Sequence, residues 1–496
     1  MPAADLVESG EASFDLWRQR AGLVLAPIAF VALWAAPLAL APAAHRLAAV
    51  LAAVVVLWVT EAIPMAITAF LGVAVAVVLG VAPAAEAFAP FADPLVFLFI
   101  GTFMLAQAIF HHGVDRRFAF AILALPGVGD RPGRLLVAYA LVACTISMWI
   151  SNTATTAMMY PIGVSLLAFL ESRGAVPAEY AAALLLSNAF GASVGGLATP
   201  VGTPPNLIGI GFLRRETSFE LPFFSWMALG LPVVLVLFSV MAVTLARAGG
   251  AGRTPDLARH LAEERSTLGP WTRGQRNTIV AFALTVFFWV LPGITAVVGG
   301  QDHPLYRGLV TLLPEGVVAL LGAGLLFVLP TDLRRHRFTL PWAEAVKIDW
   351  WIVFLYGGGI ALGTLAFKTG LAEAIGRGLT DLLGIHSSFG LLALSTALAA
   401  VLSETTSNTA SANMIVPVVI AFARSAGIDP VLPAIGATMG ASLGFMLPVS
   451  TPCNAIVYGS GRIPLATMMR YGILLDVAGV VTIVAVVSLL GPWIRG

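Results

Sequence analysis

The chain alternates long apolar runs with short polar connections over nearly its whole length. A run of roughly 17 to 25 apolar residues can cross the hydrocarbon core of a bilayer as an α-helix. Counting the two broken helices described next, the pattern predicts about eleven crossings. The uninterrupted spans are predicted at 21–41, 46–60, 66–82, 94–112, 223–245, 277–299, 308–329, 350–367 and 469–491.

Four further apolar stretches carry polar residues, glycine or proline at their centres. We predict that 135–171 and 389–424 are re-entrant hairpins, which enter and leave the membrane on one side. The stretches 179–213 and 431–458 are predicted to be broken helices, because the prolines at their centres lack the N–H that a continuous helix needs. Unwound backbone at membrane depth must line a protein or water cavity.

The polar phrase of the first hairpin recurs in the second. Ser-x3-Ser-Asn-Thr-Ala begins at Ser147 and again at Ser403, 256 positions later. Downstream, Gly-Ala-Ser-x-Gly begins at Gly191 and at Gly440, and each copy is followed by a Thr-Pro phrase. We expect these glycines to let helices approach closely. Motifs repeated in one order at nearly one spacing indicate two copies of one structural unit.

Composition places this unit in a membrane. The 496 residues are 59% hydrophobic and 11% charged, with a mean hydropathy of +0.93. Soluble proteins carry about 25% charged residues. The net charge of +1 gives no argument for nucleic acid as a partner. Cys144 and Cys453 both lie in apolar segments, so neither a disulfide framework nor a metal site is expected.

Basic residues set the predicted orientation. With the two hairpins drawn as re-entrant, the arginine-rich connections fall on one face, which the positive-inside rule makes cytoplasmic. The N-terminus is then cytoplasmic, and Arg214 and Arg215 are the main exception. Each repeat has five crossings plus a hairpin, and an odd number of crossings inverts the second copy.

The predicted fold is an all-α polytopic membrane protein with two inverted-topology repeats and two re-entrant hairpins. Amphipathic stretches at 114–126 and 371–383 precede the hairpins and suggest helices along opposite membrane surfaces. The predicted divisions are a cytoplasmic segment 1–20, an extra transmembrane helix 21–45, repeat 1 at 46–245, a cytoplasmic linker 246–276 that carries a surface helix, and repeat 2 at 277–496.

The hairpin tips and broken helices offer chemistry for both a cation and an anion. Hydroxyls, amide oxygens and free carbonyls are hard ligands suited to Na⁺, while freed helix N-termini attract an anion. Neither tip contains Arg, Lys or His. A dianion bound there would depend on co-bound cations for countercharge, because it is poorly solvated near the midplane.

These paired phrases resemble the divalent anion/sodium symporters, which carry dicarboxylates, citrate or sulfate. The resemblance covers nearly the whole chain and implies a homodimer in which a moving domain carries the site across the membrane as an elevator. It implies one sodium site at Ser147, Ser151, Asn152 and the Gly202 carbonyl, and a second at Ser403, Thr406, Asn408 and Ser450. It implies substrate contacts from Ser151, Asn152, Thr153, Thr203, Ser407, Asn408, Thr409, Thr451 and Pro452.

The expected function is symport of C4 dicarboxylates, such as succinate, malate or fumarate, with two or more Na⁺ across the inner (plasma) membrane. A Na⁺-independent dicarboxylate or citrate exchanger and a Na⁺/sulfate symporter are the alternatives within transport. No enzyme is expected, because a serine hydrolase needs a base and neither hairpin has His or Lys. Opposed half-helices would also fit an ion channel, but a channel would conduct ions without coupling their movement to a substrate.

Several ionisable residues lie near these motifs. Glu404, directly after Ser403, is expected to bond backbone amides or to tune the cation site. His111 and His112 are expected to be interfacial rather than a proton relay. Glu61 and Glu315 correspond between the repeats at crossing ends, where we expect a helix cap or an interdomain salt bridge.

Overall fold

The computed structural model describes residues 3–174, 176–249, 254 and 256–495. Within them the chain is almost entirely helical, with one two-stranded antiparallel sheet. The first half forms α1 (Ala3–Ala35), α2 (Pro42–Thr60), α3 (Met65–Val78), α4 (Ala84–Phe88), α5 (Pro94–His112), α6 (Val114–Leu123), α7 (Pro132–Ser147), α8 (Asn152–Arg173), α9 (Ala178–Gly196), α10 (Pro204–Thr217) and α11 (Phe223–Ala246). Short 3-10 turns occupy Ala89–Ala92 and Arg247–Gly249.

The second half follows the same order of long, short and broken helices. It forms α12 (Leu257–Thr267), α13 (Arg273–Gly299), α14 (Pro304–Leu312), α15 (Glu315–Val328), α16 (Trp342–Ala345), α17 (Trp350–Lys368), α18 (Leu371–Leu383), α19 (Ser388–Thr405), α20 (Asn408–Ser425), α21 (Val431–Gly440), α22 (Pro452–Tyr458) and α23 (Leu465–Arg495). The strands β1 (Pro330–Asp332) and β2 (Arg337–Phe338) pair between α15 and α16.

The interrupted elements lie where the sequence predicts them. Each predicted hairpin is two helices, α7 with α8 and α19 with α20, and each predicted broken helix is α9 with α10 or α21 with α22. The predicted amphipathic stretches are α6 and α18, and the predicted linker carries α12. Residues 1 and 2 of the N-terminal segment, and 250–253 and 255 of the linker, lie outside the described residues.

Two predicted spans differ from the structure. The N-terminal segment and the first span form one helix, α1, of which Leu16–Ala35 is apolar enough to cross a membrane. The predicted span 308–329 is two helices, α14 and α15, bent by 63°. Pro314 stands at the break, and its missing N–H prevents a continuous helix there.

Nine helices in the described residues are long and apolar enough to cross a membrane, or ten if α14 and α15 form one span. The predicted number of crossings, about eleven, differs from this number because each broken helix was counted as one crossing and each hairpin as none. α3 has only 14 residues, which is short for a span on its own.

The chain divides into two compact units, and each combines segments from both halves. Unit 1 contains Met1–Val96, Leu207–Glu220 and Trp350–Leu443. Unit 2 contains Phe97–Asn206, Leu221–Asp349 and Gly444–Gly496. The second hairpin therefore belongs to unit 1, and the first hairpin belongs to unit 2.

In unit 1, α19 packs against α21 and α18 packs against α20. A Cβ added to Gly440 would lie 2.5 Å from the Thr396 carbonyl oxygen, which confirms that this glycine allows close packing. Arg214, the exception to the predicted charge distribution, bonds both carboxylate oxygens of Asp93 at 2.6 and 2.7 Å. Asp93 is buried, so the charge of Arg214 is compensated inside the unit.

In unit 2, α7 packs closely against α9. A Cβ added to Gly191 would lie 2.8 Å from the Ala140 carbonyl oxygen, and one at Gly195 would collide with the Cys144 carbonyl. Both glycines therefore have the predicted packing role. A larger residue at either position would push α9 away from α7.

The linker helix α12 also packs within unit 2. Asp256, just before α12, lies 3.2 Å from Arg173 at the end of α8. The His260 ring stacks on Phe169 with their centroids 4.3 Å apart. α12 also packs against α6. The linker thus contacts the return helix of the first hairpin and the amphipathic helix that precedes that hairpin.

Candidate functional site

The first hairpin turns between Ser147, the last residue of α7, and Asn152, the first residue of α8. Ser151 caps α8, because its Oγ accepts a hydrogen bond from the Ala154 N–H at 3.3 Å. The cap satisfies only one of the free amides of the first turn, and the N-terminus of α8 keeps its partial positive charge. The tip thus combines free amides with oxygen-bearing side chains.

The Asn152 side chain lies at the centre of an oxygen cluster. One terminal atom of its amide is 2.7 Å from Ser147 Oγ, 3.1 Å from the Ala192 carbonyl oxygen and 3.3 Å from the Gly202 carbonyl oxygen. With nitrogen at that position the amide donates to all three oxygens. With oxygen there it accepts a hydrogen bond from the Ser147 hydroxyl, and the two carbonyl oxygens face it without a donor unless a cation lies among them. The predicted sodium ligands Ser147, Asn152 and Gly202 are therefore brought together.

Two glycines make room for this cluster. A Cβ at Gly196 would collide with the Asn152 amide, and one at Gly202 would lie 2.5 Å from the Gly196 carbonyl oxygen. Any larger residue at either position would displace the amide or the broken segment. The glycines between α9 and α10 thus position Asn152 as well as interrupting the helix.

The second hairpin repeats this arrangement within unit 1. Ser407 caps α20 by accepting from the Ala410 N–H at 3.2 Å. Ser403 Oγ lies 2.7 Å from Asn408 Oδ1 and 2.8 Å from the Ala441 carbonyl oxygen. Ser403, Asn408 and Ala441 correspond in sequence to Ser147, Asn152 and Ala192. Both hairpins therefore join a serine, an asparagine and a backbone carbonyl.

The remaining predicted ligands of the second site have other contacts. Thr406 Oγ1 donates to the Leu402 carbonyl at 3.0 Å and lies 2.7 Å from Ser411 Oγ. Ser450 belongs to unit 2, where its hydroxyl lies 2.9 Å from the Gly444 carbonyl oxygen and 2.7 Å from that of Leu447. Their role as sodium ligands stays a prediction.

Sequence reasoning missed the role of Asn206 and Asn454. Asn206 Nδ2 donates to the carbonyls of Gly196 and Thr199 at 2.9 and 2.8 Å. Asn454 Nδ2 donates to the carbonyls of Gly444 and Leu447, both at 3.0 Å. These residues occupy equivalent positions in the two repeats. Through these hydrogen bonds, each asparagine connects the start of a broken segment to the helix that follows it.

The signal for this role was present in the sequence, because both asparagines end the duplicated Thr-Pro phrases. Their side chains are fully buried, and no protein group in the described part of the chain bonds either Oδ1. The carbonyls of Ala192 and Ala441 were also missed. Backbone ligands leave little trace in sequence, and only the repeated Gly-Ala-Ser phrase marked them.

Predicted substrate residues from the two halves meet in unit 2. α22 packs against α8 and α9. The thiol of Cys453, the residue after Pro452, lies beside the hydroxyls of Thr153, Thr156 and Ser193. Thr451 caps α22 by accepting from the Asn454 N–H at 3.1 Å. The start of the first return helix and the second Thr-Pro phrase thus share one polar region.

The other predicted substrate residues are distributed between the units. Thr203 is buried in unit 2, in the broken segment next to Gly202. Ser407 and Thr409 lie at the start of α20 in unit 1, where Ser407 Oγ also contacts the Met65 sulfur at 3.2 Å. Glu404 is buried near the end of α19. Substrate contact by Thr203, Ser407 and Thr409 stays a prediction, and so does the expected role of Glu404 in bonding backbone amides or tuning the cation site.

The two corresponding glutamates have capping and ion-pair roles. Glu61 lies 2.9 Å from Arg18 in unit 1. Glu315 Oε1 accepts from the Phe223 N–H at 2.5 Å, at the start of α11 in unit 2. The Glu315 contact at the start of α11 agrees with the expected helix cap, whereas the Glu61 ion pair lies within unit 1 and is not the interdomain salt bridge that was the alternative.

Comparison with known proteins identifies the family. Residues 15–495 match the family described as "Sodium:sulfate symporter transmembrane region". The match covers nearly the whole chain, including both hairpins and both broken helices. The chain belongs to this family. It is therefore a member of the divalent anion/sodium symporters, and the resemblance stated from its motifs is confirmed.

Individual relatives agree with this assignment. The chain is 30% identical over 490 residues to the sodium-dependent dicarboxylate transporter SdcS of Staphylococcus saprophyticus, covering 96% of this chain and 92% of that protein. It is 33% identical over 452 residues to an uncharacterized transporter of Haemophilus influenzae, covering 89% and 91%. The YdaH transporter of Alcanivorax borkumensis shares the fold, with a TM-score of 0.53 at 14% identity and coverage of 82% and 86%.

Proposed function

We propose that this chain is a secondary active transporter that couples Na⁺ to the import of C4 dicarboxylates such as succinate, malate and fumarate. The observation that carries the proposal is the duplicated oxygen cluster around Asn152 and Asn408. A relative of nearly equal length is named as a sodium-dependent dicarboxylate transporter. Together they favour a cation-coupled carrier of a carboxylate substrate.

Sodium is assigned to the oxygen clusters because of their chemistry. Ser147, Asn152 and the carbonyls of Ala192 and Gly202 offer only neutral oxygen ligands once the Asn152 oxygen faces the others. Neutral hard oxygens suit a monovalent cation with little preference for soft ligands. The first site would use these groups with Ser151. The second would use Ser403, Asn408 and the Ala441 carbonyl, with Thr406.

The dicarboxylate is assigned to the helix starts beside these clusters. The capped N-termini of α8 and α20 present free amides and partial positive charge toward a carboxylate. The hydroxyls of Thr153 and Thr409, with the Thr-Pro phrases at Thr203 and Thr451, complete the set. No cationic side chain stands at either tip. The bound Na⁺ ions therefore supply the countercharge, and this makes binding of anion and cation interdependent.

The wider mechanism belongs to the same proposal. The two halves repeat hairpin and broken helix in the same order, which supports inverted repeats around a shared site. We infer a homodimer in the cell membrane, with a cytoplasmic N-terminus, in which a moving transport domain carries the site across the membrane as an elevator. Family membership and the distribution of arginine support this arrangement.

Sulfate is the second candidate substrate, because the family description names a sodium:sulfate symporter. Sulfate and succinate are both dianions, and both would need the same countercharge. They differ in length, since a dicarboxylate has two separated anionic ends and sulfate carries its charge on one centre. Competition between the two anions distinguishes these candidates directly.

The experiment is uptake of labelled succinate into proteoliposomes, with an inward Na⁺ gradient or K⁺ replacement, and with empty or dicarboxylate-loaded vesicles. Na⁺-dependent accumulation in empty vesicles supports symport, and excess unlabelled sulfate should leave it unchanged. Uptake that needs internal dicarboxylate and ignores Na⁺ would instead show exchange. Absence of succinate accumulation, together with Na⁺-dependent accumulation of labelled sulfate, would assign the site to sulfate.

A further inference from the structure

A cavity lies in unit 2, and no residue of the first hairpin tip lines it. It has a volume of about 600 Å³ and is formed by the end of α5, the β1–β2 hairpin and the start of α16. Its walls combine imidazole and guanidinium groups with large apolar side chains. They consist of His111, His112, Phe327, Thr331, His336, Arg337, Phe338, Leu340, Pro341 and Trp342.

The polar part of this cavity is basic. His111 lies 3.7 Å from Glu344, which also pairs with Lys347 at 2.7 Å. Arg337 has no ion pair with any carboxylate in the described part of the chain, and it is exposed. His336 is exposed beside it. An uncompensated guanidinium next to imidazoles is suited to a phosphate group.

The apolar part has the character of a membrane interface. Trp342 is 65% exposed although it lines the cavity together with Phe327 and Phe338. Tryptophan concentrates at the boundary between lipid and water. The cavity directly follows α15, and its wall carries His336 and Arg337 beside His111 and His112. Basic clusters beside a spanning helix attract anionic lipid headgroups.

The cavity is also held in place by hydrogen bonds. Asn277 on α13 donates to the Pro330 carbonyl at 3.2 Å and to Thr339 Oγ1 at 2.8 Å. His112 Nε2 lies 2.7 Å from the Thr339 carbonyl oxygen. These bonds fix the β1–β2 hairpin against α5 and α13. The basic residues therefore stand on a rigid element rather than on a free loop.

We propose that this cavity binds the headgroup of an anionic phospholipid. The phosphate would contact Arg337 and His336, and the glycerol and first acyl carbons would pack on Phe338 and Trp342. A free phosphate ion would use the same basic groups but would leave these apolar walls without a partner. The imidazoles do not favour a metal, because no cluster of three potential ligands occurs among the described residues.

The test measures lipid retention by the purified full-length protein with native mass spectrometry. Phosphatidylglycerol and phosphatidylcholine are added in turn at about 0.5 M salt, where distant charges are screened. We expect preferential retention of phosphatidylglycerol, and Arg337→Gln should weaken its binding about fivefold. Arg334→Gln is the matched control, because it removes the same charge from the same hairpin outside the cavity, and should change binding less than about twofold.

Two further measurements separate the sources of the phosphate. Trp342→Ala removes an apolar wall and should weaken phosphatidylglycerol binding without affecting inorganic phosphate. Complete displacement of phosphatidylglycerol by millimolar inorganic phosphate would assign the cavity to a soluble ligand and overturn the proposal. Equal weakening by Arg337→Gln and Arg334→Gln, or no weakening by Arg337→Gln and Trp342→Ala, would also overturn it.

Discussion

At the scale of single residues, Asn152 and Asn408 connect the tip of each hairpin to the chain behind it. Each lies 2.7 Å from a serine on the preceding helix and close to carbonyls of the broken helix that follows. A cation at these positions would join three segments that are distant in sequence. The same groups could therefore couple sodium binding to the arrangement of the tip.

We predict that Asn152→Ala and Asn408→Ala each abolish Na⁺-driven succinate uptake, because alanine removes the central oxygen of a cluster. The proteins should still purify as folded assemblies, which size-exclusion chromatography checks. Asn413→Ala is the control, since Asn413 lies on α20 but donates only within its helix, to the Thr409 carbonyl. Normal uptake by either tip variant would remove that asparagine from the site.

Asn206→Asp should weaken sodium binding while preserving side-chain shape. The carboxylate cannot donate to the carbonyls of Gly196 and Thr199, so the segment that carries Gly202 loses two bonds of about 1 kcal/mol each. We expect the half-saturating Na⁺ concentration to rise about tenfold with little change in the maximal rate. Kinetics at saturating succinate measure this. An unchanged Na⁺ dependence together with a lower maximal rate would contradict a positioning role.

Gly196→Ala should abolish uptake, because its Cβ would collide with the Asn152 amide. The matched control is Gly308→Ala, on α14, where a Cβ meets no atom within 4 Å. A helical glycine replaced by alanine in open space is expected to leave uptake intact and to stabilise slightly. Uptake by both variants at equal rates would show that the Asn152 position does not depend on Gly196.

At the scale of elements, the hairpins and broken helices could be predicted, because their motifs occur twice and interrupt apolar helices. α6 and α18 could be predicted for a similar reason, since each mixes charged and apolar residues at helical spacing. The bend between α14 and α15 was missed. Leu313 and Pro314 interrupt that stretch, but an apolar run of spanning length gave the stronger signal.

The β1–β2 hairpin and the continuation of α1 through the polar N-terminal residues were missed as well. A strand pair of three and two residues is too short for a period-two pattern. The boundary at 20 was placed where polarity changes, but a helix continues across such a change when no proline ends it there, and the first proline inside α1 is Pro27. The change in polarity predicted the membrane span, whereas local backbone preference determines where the helix α1 begins.

The amphipathic helix α6 gives a prediction for pH dependence. Burial raises the pKa of Asp115 to about 6, although the backbone N–H groups of Arg116 and Asp115 and the Arg116 charge oppose this shift. The folded protein therefore binds this proton more tightly than the unfolded chain does. The stability contribution is complete below the ordinary pKa of 3.8 and is lost as pH rises through about 6.

Asp115→Asn should therefore raise the thermal unfolding temperature at pH 7.5 and leave it nearly unchanged at pH 4. Thermal unfolding in detergent over this range measures the difference. Asp381→Asn is the control, because Asp381 is an exposed aspartate on the corresponding amphipathic helix α18. A similar gain at pH 4 and pH 7.5 would show that the effect is packing rather than ionisation.

At the scale of the whole molecule, the sequence predicted the family and the pairing of motifs but not the two compact units. Each unit takes segments from both halves, with boundaries inside α5 and α10. Hydrophobic patterning indicates which residues enter the membrane, but it does not indicate which helices pack together. Those contacts depend on small residues such as Gly191 and Gly440, whose partners are distant in sequence.

The central claim is that two clusters of neutral oxygen ligands bind Na⁺. The bound Na⁺ supplies the countercharge for the dianion, because no cationic side chain stands at either hairpin tip. This claim is tested most directly by measuring labelled Na⁺ and labelled succinate together in the same proteoliposomes. The account predicts at least two Na⁺ ions per succinate in the wild type, and loss of both fluxes in Asn152→Ala and Asn408→Ala. Succinate accumulation without accompanying Na⁺ flux would contradict it.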